Sequence, residues 1–232
     1  MGRRVIERSR MNGLIPRSIA LTKIRLLGAG SYHSFAVNTA GETVAWGLNQ
    51  FGQCGVGMGG EDGASITTPT IVEGLAGKDI VWIGGGEHHS LALTREGQLY
   101  AWGRLDINQL GLEISRLSAE ARPVGAPRYL PVPTLIPHIP PMVFAACGTH
   151  HNIAISAAGE AYSWGYGESW QVGLGPGAGD VERPTKIENT ATRGVEMAMG
   201  GAGGQFSVLL GFPSQENGEN EVQRNRDEVH RA

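Results

Sequence analysis

An all-β architecture of tandem four-stranded units is predicted, and three observations predict it. A 28-residue motif recurs with no internal gap at 30–57, 86–113 and 148–175. Each copy places a Gly-containing turn between two short apolar runs, the signature of a β-hairpin. Glycine supplies 36 of the 232 residues, about twice the usual ~7%, yet it shows no every-third-residue period. That excess suits many tight turns, because Gly takes positive φ at no steric cost.

The first and second copies share ten identities, and the second and third share eleven. Three columns stand out: His33, His89 and His151; Trp46, Trp102 and Trp164; Gln53, Gln109 and Gln171. In the first copy Ser34–Asn38 and Thr43–Gly47 flank the turn 39–42, and turns at 95–98 and 157–160 are its equivalents. Two more apolar stretches precede each hairpin. One follows a proline: Pro16–Ile19, Pro69–Ile71, Pro133–Ile136 and Pro184–Ile187. The other ends at the motif glycines: Ile24–Leu27, Ile80–Ile83, Met142–Ala145 and Val195–Met199. Four short strands per tandem unit describe the blades of a β-propeller. No apolar face of helical period has useful length, which excludes a helical solenoid. A fourth copy starts at Gly203 and stops after Leu210, giving about three and a half repeats.

Around this body the chain divides into a basic lead-in at 1–13, the repeats at 14–213 and a polar tail at 214–232. The tail is aromatic-free and aperiodic, and is expected to be disordered. Net charge is +6 over 1–25, −7 over 26–213 and −2 over the remainder. An acidic body is a poor match for nucleic acid and a better one for a basic protein. The lead-in is either a solvated segment or a phosphate contact. No run of about 18 apolar residues offers a transmembrane helix, and no membrane contact is expected. Cys54 and Cys147 read as free thiols of a reducing compartment, with a single bridge as the alternative. Residues 123–141 hold seven of the twelve prolines and read as a lengthened surface loop of polyproline character.

The column histidines raise zinc, but equivalent positions on packed sheets lie too far apart for one ion with Zn–N bonds of about 2.1 Å. They are expected to hydrogen-bond the backbone of a neighbouring blade, with a partner surface as the alternative. The pairs His33-Ser34 and His89-Ser90 do not make a nucleophile and base, because successive strand side chains point to opposite faces. The tryptophans are expected between blades. The glycine runs 84–86 and 200–204 lack the P-loop lysine and read as turns and close-packing sites, not nucleotide sites. No cofactor and no metal is expected. His88 and His150 precede the column histidine and turn the other way. They are partner-facing candidates, with Glu87 able to tune His88, or else loop residues without a role.

These residues resemble the repeat of the regulator of chromosome condensation family, whose pattern runs G-x-x-H-[ST]-x-A-[LV], G-x-[LVA]-[YFA]-x-[WF]-G and x-G-Q-[LVC]-G. Trp-Gly in place of Trp-Asp sets the chain apart from WD propellers, and the period of 55–62 from kelch. G-L-I-P-R, A-W-G-L-N-Q-F-G-Q, G-G-E-H-H-S and G-A-G-G-Q-F-S-V-L-L further resemble the C-terminal half of fungal-type exchange factors for the Ran GTPase. The resemblance implies a partial seven-bladed propeller, one face of which docks a Ran-like small GTPase and promotes GDP release without covalent chemistry. It also implies a nuclear location (otherwise cytoplasmic), and chromatin or histones as further partners of the full-length family. His88 matches a family histidine implicated in exchange. Two neighbouring contact positions fall at Gln50 and Gly52, and Phe206 stands where the last repeat has its histidine. The alternative is a propeller module or scaffold without exchange activity. The start M-G-R-R-V-I-E-R-S-R reads like mid-protein sequence, which favours a truncated product.

Overall fold

The computed structural model describes residues 23–59, 64–113, 115, 117 and 129–214. The lead-in at 1–13, the stretch Pro16–Ile19 and the tail from 215 onward lie outside the described residues. Strands β1 (Ile24–Ala29), β2 (His33–Asn38), β3 (Thr43–Leu48) and β4 (Ser65–Ile71) form the first sheet. Then β5 (Ile80–Gly85), β6 (His89–Thr94), β7 (Leu99–Arg104) and β8 (Tyr129–Leu135) form the second. The third contains β9 (Met142–Cys147), β10 (His151–Ser156), β11 (Ala161–Gly165) and β12 (Val181–Lys186). A two-stranded sheet of β13 (Val195–Ala202) and β14 (Ser207–Pro213) follows. Every sheet is an antiparallel meander. A short 3-10 turn at Glu73–Leu75 follows β4.

The proline-bearing strand is out of phase with the unit read from the sequence. β4, β8 and β12 each close the sheet of the hairpin before them, not the one after. The proline-rich reading of 123–141 is corrected in part for the same reason. Tyr129–Leu135 is a strand, with Leu130 opposite Gly103 and Thr134 opposite Ala101. An outer strand needs donors on one side only, so Pro131 and Pro133 are tolerated. Each glycine run spans a strand end and the turn after it: Gly84 and Gly85 end β5 and Gly200 and Gly201 lie within β13, while Gly86, Gly203 and Gly204 lie in the turns that follow.

Sheets pack face to face through three apolar clusters. Phe35, Val37, Ala45, Ile83 and Trp102 fill the space between the first and second. Leu91, Leu93, Ala145, Ala154 and Trp164 join the second to the third. Ile155, Ile187 and Met197 join the third to the final pair. Strands β6 and β10 are buried along their whole length because sheets cover them on both sides. At the two ends of the described arc the pattern alternates instead: Leu27 on β1 is 71% exposed, and Val208, Leu210 and Phe212 on β14 are 59%, 50% and 61% exposed.

Candidate docking face

The repeat columns build the seams between sheets. His33 Nε2 lies 2.7 Å from Ser90 Oγ on the second sheet, and that hydroxyl donates to the Gln53 carbonyl at 2.8 Å, back on the first. The serine proton is therefore committed, so His33 Nε2–H is the donor and a single neutral tautomer results. The next seam repeats the triangle. His89 Nε2 lies 2.7 Å from Asn152 Oδ1, and Asn152 Nδ2 donates to the Gln109 carbonyl at 2.7 Å. His151 meets Ser207 Oγ at 2.9 Å. The partner is thus a side chain of the adjoining sheet, where backbone was expected, because the column after each histidine carries Ser or Asn on the strand that faces it. The His33–Ser90 pair runs the wrong way for a nucleophile: the imidazole gives a proton to the hydroxyl oxygen, and both groups are buried.

Burial also holds these histidines neutral. It pushes His33 down to about 3 and His89 and His151 down to about 4, with charge repulsion from neighbouring histidines adding to it. Among the described residues no three His, Cys, Asp or Glu side chains gather as a metal site. Both cysteines carry free thiols. Burial raises Cys54 to about 12 and pushes Cys147 higher still.

The glutamines and tryptophans complete the seams. Gln53, Gln109 and Gln171 fold back so that Oε1 accepts from the N–H of Phe51, Ile107 and Ser169 at 2.9, 3.0 and 2.9 Å. Trp102 donates Nε1–H to the Gln53 carbonyl at 2.8 Å and lies flat on Gly55, and Trp164 lies on Gly111. Trp46 has the same column but no preceding sheet among the described residues, and it is half-buried.

On one face of the arc, the column before each histidine places Tyr32, His88, His150 and Gln205 in a row. Glu87 lies between two of them: its Oε2 is 3.1 Å from His150 Nε2 and 3.7 Å from His88 Nδ1. The Glu87 backbone N–H donates to the Thr149 carbonyl at 3.0 Å, which fixes the carboxylate over the seam between the second and third sheets. So Glu87, His88 and His150 do come together, drawn from two sheets. His88 is lowered from its ordinary value by burial first; Glu87 and Asp106 oppose that, while Arg104 and His150 add to it. Of the positions beside it, Gln50 is exposed, but Gly52 is buried against Pro131 of β8 and offers a partner nothing.

Besides Tyr32 and Gln205, sequence reasoning missed four residues of this face. The Phe51 ring meets His88 edge-on at 4.7 Å and lies under the Arg104 guanidinium at 5.1 Å. Arg104 forks onto Asp106 at 2.6 and 3.0 Å. Tyr166 meets the His150 ring at 6.5 Å. A signal existed for Phe51, an aromatic where the other copies carry Ile107 and Ser169, but nothing in the chain reported what its ring would reach.

Known proteins place this arrangement. Protein pim1 of Schizosaccharomyces pombe is 45% identical over 217 residues, which are 92% of this chain and 40% of that protein. Guanine nucleotide exchange factor SRM1 of Saccharomyces cerevisiae is 43% identical over 213 residues, 91% of this chain and 44% of that one. The chain therefore spans less than half the length of these relatives. The crystal structure of Prp20p from Saccharomyces cerevisiae, studied for its binding to Gsp1p and histones, superposes with a TM-score of 0.81 at 41% identity, covering 95% of this chain and 51% of that one. The RCC1-like domain model matches residues 2–209, and with the same seams repeated from sheet to sheet, the chain belongs to the RCC1-like family of β-propellers.

Proposed function

We propose that this chain supplies part of the docking face of a nuclear guanine-nucleotide exchange factor for a Ran-like small GTPase. The observation that carries the reading is the Glu87–His88–His150 cluster, held rigidly across a seam on one face of the propeller. The relationship to an exchange factor, and to a protein studied for Gsp1p and histone binding, supports it. Exchange needs no covalent step. A factor that binds the nucleotide-free GTPase more tightly than the loaded one lowers nucleotide affinity by the same factor, by thermodynamic linkage. Fixed side chains serve that purpose because little conformational freedom is lost on docking. The acidic body suits a basic partner such as a histone by long-range attraction.

The test uses a Ran-type GTPase loaded with a fluorescent GDP analogue. The chain is expected to accelerate release over buffer and to bind the nucleotide-free form in preference to the loaded one. Replacing Glu87 by Gln and His88 by Ala should weaken both effects. Binding without acceleration supports a docking module that lacks exchange activity, a reading favoured by the chain's 40% and 44% shares of its relatives' lengths. Absence of both binding and acceleration overturns the exchange-factor reading.

A further inference from the structure

The turn at 49–53 is held more firmly than an ordinary surface loop. Phe51 N–H donates to Gln53 Oε1 at 2.9 Å, and Gly52 N–H to the Asn49 carbonyl at 2.9 Å. Gly52 adopts φ +68°, and a Cβ there would stand 2.5 Å from Pro131 Cα. The outer strand of the second sheet therefore presses on the turn from below. From this anchored backbone the Phe51 ring leaves the first sheet and crosses to the second.

There it touches two groups at once. The His88 imidazole meets the ring edge-on at 4.7 Å and 73°, and the Arg104 guanidinium lies over it at 5.1 Å. Both contacts are the favourable geometries of an aromatic quadrupole. Arg104 is also tied at its other side: Nε and Nη2 are committed to Asp106, and its backbone N–H donates to the His88 carbonyl at 2.9 Å. Nη1 stays outside that fork. Tyr32 leans on His88 from the first sheet at 6.1 Å. The imidazole and guanidinium are thus fixed relative to each other by one ring that belongs to neither of their strands.

We propose that Phe51 is a positioning residue of the docking face, setting the His88 imidazole and the Arg104 guanidinium in place before the GTPase arrives. The inference rests on the exchange-factor reading and adds a residue to it. Its physical content is preorganisation: two long polar side chains that are already ordered lose less freedom on association. It also explains why the turn carries an aromatic here and not in the other copies. At 107 and 169 the turn has Ile and Ser, and no arginine stands where Arg104 does: the equivalent column holds Leu48 and Tyr166.

The experiment follows the His88 ring by NMR in the free chain from about pH 5 to about pH 8, in wild type, Phe51→Leu and Phe51→Tyr. Glu87, Arg104, Asp106 and His150 surround His88, with Tyr32 beside it, and all stay in place in these variants. Loss of the ring should shift the His88 Cε1–H resonance and return its titration toward the ordinary value, because burial falls; Tyr should restore both. Unfolding midpoints in urea confirm that each variant is folded. Binding of the nucleotide-free GTPase should weaken roughly three- to tenfold in Phe51→Leu. The double variant with His88→Ala should lose less than the sum of the two single losses, the remainder being the share of Phe51 that acts through Arg104. A His88 resonance and titration unchanged in Phe51→Leu overturns the proposal, as does a fully additive double variant. If the wild-type chain fails to bind the GTPase, the exchange-factor reading falls, and the free-chain titration by itself decides whether Phe51 positions His88.

Discussion

Glycine does two different jobs in this chain, and the distinction is a matter of single atoms. At Gly30 a Cβ would stand 2.6 Å from the carbonyl oxygen of Gly86 on the next sheet, and at Gly148 it would stand 2.6 Å from that of Gly203. Gly86 faces the Gly148 carbonyl in the same way. Those carbonyls are occupied: Ser31 N–H donates to Gly86 and Thr149 N–H to Gly203, both at 3.0 Å. Gly41 is the opposite case, with φ +87° and open space around it. Gly86→Ala must therefore separate two sheets, while Gly41→Ala meets only the left-handed backbone penalty of about 1–2 kcal/mol. Chemical denaturation should show the first variant to be the more damaging, by overpacking of about 1–3 kcal/mol beyond ordinary substitution. Equal losses would mean that close approach does not set the glycine column.

At the scale of the element, each seam is a polar triangle set in an apolar cluster. His33 reaches Ser90, Ser90 returns to Gln53, and Trp102 shares the same carbonyl. Removing the imidazole leaves buried polar groups short of a partner, at a cost of about 1–3 kcal/mol. Cys54 is buried beside this seam and reports on it. His33→Ala should therefore speed labelling of Cys54 by a thiol reagent about tenfold or more through local opening, with Cys147 as the internal control. Equal acceleration at both cysteines would indicate global rather than local loosening. The strands themselves were legible from the chain, because alternation, hairpin glycines and the Trp-Gly ends fall in one column across copies. Their partnership was not. Pro69, Pro133 and Pro184 mark outer strands without saying whether the hairpin before or after will pair with them, and only the ladders decide that.

At the scale of the whole molecule, three neutral buried histidines couple the propeller to pH. Their folded-state values of about 3 to about 4 lie below the ordinary 6.5, so the unfolded chain takes up protons first as pH falls. Their contribution is complete above pH 6.5 and is lost progressively as pH falls toward 4. Each histidine costs up to about 1.4 kcal/mol per pH unit in that window. Urea midpoints should drop steeply between neutral and mildly acidic pH, and His89→Gln should flatten part of that slope. A slope unchanged by the substitution would show that His89 is not a source of the acid sensitivity. Exposed apolar residues line both ends of the described arc, Leu27 at one and Met199, Val208, Leu210 and Phe212 at the other, where the alternating burial of β1 and β14 contrasts with the complete burial of β6 and β10.

The sequence by itself determined the repeat, the strand-forming segments, the glycine, histidine, tryptophan and glutamine columns, and the family. All of these are recorded by residue type at fixed spacing, since each column answers a local demand: a tight turn, an inward side chain, a flat ring between sheets. The tertiary structure alone decided what each column touches. The histidines found side chains of the next sheet, Gly52 went under Pro131, and Glu87 came to lie between two histidines. Phe51 gained its place beside His88 and Arg104 only when the second sheet packed on the first. Contacts across a seam join residues about 37 to 63 positions apart in the chain, and periodicity within one strand carries no record of them.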